Sequence, residues 1–176
     1  MTLYILLATL FLLTRDSLMY SNLTLISSNN LYKIPVIIHI IISTLYYRQS
    51  LLKINKKINH LPHIVSIIIH IISIMMISGA FVPYMHPGDD LLSHIHVYLC
   101  MISSLLFLII LYIYNNCIYR YYMNIYRKTH YFFETGLSFL CLVIVAFGHI
   151  NGYIEFIYCT LVTIYINMLK KEFHII

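Results

Sequence analysis

Residues 91–114 read LLSHIHVYLCMISSLLFLIILYIY, a run without a single Asp, Glu, Lys or Arg. An α-helix rises about 1.5 Å per residue, so about 20 residues cross the ~30 Å hydrocarbon core of a bilayer. This run meets that requirement. Composition extends the reading to the whole chain: 61% of the 176 residues are hydrophobic and 10% are charged. A soluble domain carries about 25% charged residues, and too few ionisable side chains are present here to build a polar shell. Lipid is therefore the expected solvent for most of the surface. Abundant Ile and Tyr with no Trp fit an AT-rich coding bias, so the tyrosines alone carry no functional argument.

Similar apolar runs occupy residues 63–84, 130–148 and 152–169, and a shorter one occupies 33–50, where Pro35 suits a helix's first turn. Residues 2–20 are apolar but interrupted by Arg15-Asp16. They cross fully only if Arg15 snorkels to the interface. The start of the chain lacks the basic region of a cleavable signal peptide and reads as a retained membrane segment. The polar stretch 21–30 reads as an external loop. The expected fold is all-α: a polytopic transmembrane helical bundle of about six spans, one domain over residues 1–176, without repeats or linkers.

Charge sets the expected orientation. Arg48, Lys53, Lys56 and Lys57 form one basic loop, Arg120, Arg127 and Lys128 a second, and Lys170 and Lys171 a basic tail, with Arg15 and Lys33 as outer exceptions partly offset by Asp16. These alternate with residues 85–90, which hold two acids and no Lys or Arg, and with the turn at 149–151. The positive-inside rule places both termini and the basic regions in the cytoplasm, in a multi-pass protein of the plasma membrane. The net charge of +5 is thus a topology signal and not a nucleic-acid surface. The partner expected first is the lipid bilayer; a protein partner or a homo-oligomer is compatible with the same sequence. Cys100, Cys117, Cys141 and Cys159 form no CxxC pair and suggest no disulfide framework.

Ionisable groups in or beside a membrane are costly and point to function. In this topology His86, Asp89, Asp90, His94 and His96 fall at the extracytoplasmic end of the third and fourth spans. His149 and Glu155 fall at the same face in the last hairpin. Four imidazoles and three carboxylates would gather there as a metal or proton-handling site, and a metal there would activate water against a lipid-borne bond. The spacing supports this in part: Asp90 and His94 share a helical face, whereas His94 and His96 diverge by about 200°. A structural reading covers the same residues, with Pro87-Gly88 as a turn and Asp89 or Asp90 as an N-cap. No HExxH or GxSxG pattern is present.

Elsewhere, His39 and His70 fall near mid-span, where paired imidazoles would hold b-type haem. Alternatively each is a neutral ring bonded to a neighbouring hydroxyl, such as Ser43, Ser66 or Ser73, or to a backbone carbonyl. Glu134 is expected to pair with Arg127 or Lys128. Glu155 has no cation within a turn and needs a partner across helices, with His149 and the other outer histidines as candidates.

The stretch Ser78-Gly79-Ala80-Phe81-Val82-Pro83, followed by His94, and the stretch Gly152-Tyr153-Ile154-Glu155 carry a family resemblance. Over residues 64–169 the chain resembles the six-helix membrane family of damage-regulated autophagy modulators and related bacterial proteins. The resemblance implies a six-helix architecture and directs attention to His94 and Glu155. It implies no biochemical activity or cofactor. Three functional classes stay open: a membrane enzyme acting on a lipid, a small-molecule carrier, and an accessory subunit of a membrane complex.

Overall fold

The computed structural model describes residues 1–58, 60–85 and 90–175. Among these the chain is all-α, with seven helices: α1 (Thr2–Leu13), α2 (Leu23–Ser28), α3 (Asn30–Lys57), α4 (His63–Phe81), α5 (Leu91–Tyr121), α6 (Met123–Phe147) and α7 (Gly152–Glu172). Helices α4, α5, α6 and α7 are each long and apolar enough to cross a membrane. Helix α3 has the length, at 28 residues, but carries Arg48, Lys53, Lys56 and Lys57 towards its end. The 12 residues of α1 reach only about 18 Å.

Side-chain bonds fix the helix directions. The Asn167 amide of α7 donates to Thr2 Oγ1 of α1 (2.6 Å), and Thr9 Oγ1 lies 3.3 Å from Cys159 Sγ. Helices α1 and α7 are therefore antiparallel. Helix α3 runs parallel to α7: His39 meets Thr9, which lies against Cys159, and two turns further along both helices Tyr46 donates to Asn167 (2.7 Å). Helix α4 returns against α3, with Asn55 donating to Ser66 and Arg48 to His70. Helix α5 then runs with α7, the phenols of Tyr158 and Tyr165 reaching Ser104 O and Asn115 Oδ1. The result is an up-and-down bundle. Its basic end collects the C-terminal halves of α3 and α7 and the α5–α6 junction; the opposite end carries α2.

Several boundaries differ from the sequence expectation, each for a local reason. Helix α1 stops at Leu13 instead of continuing to Tyr20, because Thr14 turns its hydroxyl back onto Phe11 O (2.9 Å) and Asp16 accepts from Ser17 N–H (2.7 Å). Such side-chain bonds compete with the helix for backbone groups. The stretch 21–30 is not an open loop, since it folds into α2, capped by Asn22 accepting from Leu25 N–H (2.9 Å). The basic stretch 120–128 is helical except for Tyr122; it contains no Gly or Pro to end a helix sooner. Pro35 falls inside α3, which begins five residues earlier, at Asn30.

The core clusters Tyr47, Tyr114, Phe133 and Tyr165 with Ile and Leu from α3 to α7. Each buried phenol finds an oxygen; Tyr114, for example, donates to Leu51 O (2.9 Å). A hydrocarbon surround offers no water as a substitute partner. Helices α4 and α5 approach closely at Gly79, where a Cβ would meet Cys100 Sγ at 2.9 Å.

Candidate functional site

The polar end opposite the basic groups is built around α2. The first four backbone amides of a helix have no internal partner, and they attract negative charge. Glu155, in the first turn of α7, supplies that charge: its Oε2 accepts from Leu23 N–H at 2.6 Å. Its partner is thus a backbone amide of α2 and not a histidine. Two further bonds dock the same chain segment on α7. Gly152 N–H donates to Ser21 O (2.7 Å), and the Asn22 amide donates to Ile150 O (3.1 Å). Gly152 is needed for this approach, because a Cβ there would lie 3.2 Å from both Leu18 O and Ser21 O.

His96 also holds α2. It is buried on α5, with Nδ1 2.9 Å from Val82 O and Nε2 3.2 Å from Thr24 Oγ1. A carbonyl only accepts, so Nδ1 carries the proton and Nε2 is left to accept from the Thr24 hydroxyl in the neutral ring. Cys100 Sγ stands 3.8 Å from the same Nε2, and the Tyr84 ring packs beside the imidazole. Glu155 and His96, far apart in sequence, therefore meet adjacent residues of one short helix.

The remaining expected site residues separate. His94 is exposed on α5, on a different face from His96. Asp90 is the N-cap of α5, accepting from Ser93 N–H (3.1 Å) and from the Ser93 hydroxyl; those bonds hold its carboxyl below the usual range. His149 is exposed at the α6–α7 turn, its ring nitrogens facing Phe147 O (2.9 Å) and Met19 O (3.3 Å). It bonds neither Glu155 nor another imidazole. His86 and Asp89 lie outside the described residues. Among the described residues no three His, Cys, Asp or Glu side chains are grouped to hold a metal ion.

No family model, curated protein or solved structure matches this chain. Its reading therefore rests on geometry.

That geometry argues against haem between His39 and His70. In the antiparallel α3–α4 pair, Arg48 Nε–H donates to His70 Nδ1 at 2.9 Å, so His70 is level with a residue nine positions beyond His39. The axial separation is about 13 Å. His39 instead faces Thr9 Oγ1 at 3.0 Å, and neither ring bonds the serines expected for it. Glu134 also has a different partner: it accepts from Tyr126 (3.0 Å), while Lys128 pairs with Glu172 (2.7 Å). Packing of α6 on α7 brings Lys128 to the end of α7 instead of along its own helix.

Sequence reasoning missed Thr24 and the whole of α2. The legible signal was Asn22 ahead of a Leu-Thr-Leu-Ile run, an N-cap before an apolar turn; the six-residue length hid it among polar neighbours. A second missed signal was periodic: Glu155, Cys159, Thr163 and Asn167 repeat every fourth residue along α7, which places them on one face.

Proposed function

We propose that the chain is a multi-pass protein of the plasma membrane with six membrane segments, α1 and α3 to α7, and its basic end in the cytoplasm. In this reading α2 is a plug closing the extracytoplasmic end, and the protein is a carrier or gated pathway for a small polar species. The observation that carries it is the 2.6 Å bond from Leu23 N–H to Glu155. An ionisable carboxylate holds a short inserted helix by its N-terminal amide, so neutralising one side chain weakens the hold. Nine of the eleven Lys and Arg lie towards the end away from α2, Arg15 and Lys33 being the exceptions, which supports the orientation through the positive-inside rule.

A membrane enzyme is the competing reading, because Thr24 and His96 have the spacing of a nucleophile and its base. Acyl transfer also needs amides aimed at a developing oxyanion. Here the helix start beside Thr24 already faces the Glu155 carboxylate, which would repel that charge. The carrier reading is therefore preferred. The family resemblance singles out His94 and Glu155, and the bonding to α2 favours Glu155.

The test uses Ile26→Cys, placed on the buried face of α2, with the four native cysteines changed to Ser. In vesicles, an impermeant maleimide added from the α2 side labels this position slowly. Adding Glu155→Gln raises the labelling rate by about tenfold, the factor that ~1.4 kcal/mol represents. An unchanged rate rejects the plug. Labelling of Lys56→Cys from the same side rejects the orientation.

A further inference from the structure

The interior of the bundle contains a polar seam that the plug does not account for. His39 and Tyr47 of α3, Thr9 of α1, and Thr163 of α7 are all buried, and Cys159 of α7 is partly so. They form a continuous chain of contacts: His39 Nε2 to Thr9 Oγ1 at 3.0 Å, Thr9 Oγ1 to Cys159 Sγ at 3.3 Å, Cys159 Sγ to Tyr47 OH at 3.4 Å, and Tyr47 OH to Thr163 Oγ1 at 2.7 Å. Towards the basic end, one turn beyond Thr163, the Asn167 side chain joins the hydroxyls of Thr2 and Tyr46, and all three residues are partly exposed. Towards the plug, one turn before Cys159 and about 6 Å along the axis, stands Glu155.

Proton positions follow from the bonding. The Thr9 hydroxyl donates to Ile5 O at 2.7 Å, so its oxygen accepts from His39. His39 is then the Nε2–H tautomer, with a bare acceptor at Nδ1. That Nδ1 is buried without a protein partner, as is Ser43 Oγ, one turn further along the same face of α3. Buried polar atoms in an apolar surround are normally satisfied, by water if by nothing else. Every link is a group that both accepts and donates a proton. Hydroxyls serving only as glue between helices would need no imidazole with an open acceptor.

We propose that this α1–α3–α7 seam is a proton pathway, loaded at Glu155 and discharged at the Thr2–Tyr46–Asn167 cluster. It deepens the plug reading by naming the proton as the species that moves. A proton from Glu155 reaches His39 Nδ1 through water; the Nε2–H proton passes to Thr9, whose own proton turns from Ile5 O to Cys159. The thiol gives its proton to Tyr47, and Tyr47 gives one to Thr163. Thr163 passes one through water to the Thr2–Tyr46–Asn167 cluster, and Glu155 takes up the next proton from the α2 side, so each group gains one proton and loses one. Glu155 bonds the α2 amide, and the Cys100 thiol of α5 lies near it with the His96 ring beside that thiol. His39 faces Thr9 of α1, and through it Cys159 of α7.

The test is proton uptake by proteoliposomes with trapped pyranine, driven by a potassium diffusion potential with valinomycin. Wild-type protein is expected to exceed protein-free vesicles by about tenfold, and Cys159→Ala to lose most of that flux. Cys159→Ser keeps a protic group and is expected to restore at least about half of it. Wild-type flux at the protein-free level overturns the pathway, and so does equal flux in Cys159→Ala and wild type. Either result leaves the plug standing if Ile26→Cys labelling still responds to Glu155→Gln. Matched thermal transitions for the two Cys159 variants show that both are folded. If Cys159→Ala does not fold, Cys159→Ser decides the matter alone: flux at the protein-free level overturns the pathway.

Discussion

Helices α6 and α7 are joined by a tight turn and are both apolar enough to span a bilayer, yet they sit in the molecule very differently. Only 11% of the apolar stretch of α6 is buried inside the protein, against 44% for α7. Helix α6 presents Tyr131, Phe139, Leu142 and Val145 outward, while α7 turns Glu155, Cys159 and Thr163 towards its neighbours. Lipid is as apolar as a protein core, so hydrophobicity does not tell an inner face from an outer one. Polar placement does, because a polar side chain facing lipid has no partner.

Substitutions on the two helices should separate accordingly. The largest effect is expected from Tyr165→Ala, which empties a fully buried site beside Phe133 and removes about 3 kcal/mol or more of stability. Denaturation in a mild detergent measures it. Gly152→Val follows, at about 1–3 kcal/mol, because the opposing atoms include two backbone oxygens that cannot step aside. It should also speed labelling of Ile26→Cys. Leu142→Ala on α6, at a residue 68% exposed, should change stability by less than about 0.5 kcal/mol. If Leu142→Ala costs as much as Tyr165→Ala, α6 has a partner and the contrast fails.

A smaller, pH-linked effect is expected outside the membrane segments. Asp90 has its carboxyl pKa lowered below the ordinary 3.8 by bonds from Ser93. A group lowered on folding contributes its stability above the unfolded value and loses it as pH falls through the folded one. Removing the carboxylate in Asp90→Ala should thus lower Tm slightly at neutral pH, and the difference from wild type should vanish in strong acid. A difference that persists there would assign the effect to packing instead.

Much of the fold was legible because membrane helices announce themselves by length. Residues 91–114 lie inside α5, and 63–84 and 152–169 differ from their helices by a few residues at an end. Helix ends near the interface were harder. At residues 120–128 charge suggested a loop, but charge marks the side of a membrane, not the end of a helix. The candidate site was legible only in part. Glu155 stood out as a carboxylate without a nearby cation, yet its partner is a backbone amide of α2, which no pairing of side-chain charges reveals. His94 and His96 diverge as their two-residue spacing in a helix requires, one outward and the other inward.

The native cysteines test the central contrast most directly. Cys141 lies exposed on α6, and Cys159 lies within the α7 seam, held by Thr9 and Tyr47. Both are in apolar surroundings, so a small permeant maleimide reaches either thiol only as packing allows. Peptide-resolved mass spectrometry of timed labelling in detergent should show Cys141 modified at least about tenfold faster than Cys159. Equal rates, or faster reaction at Cys159, would mean that the polar face of α7 does not point inward.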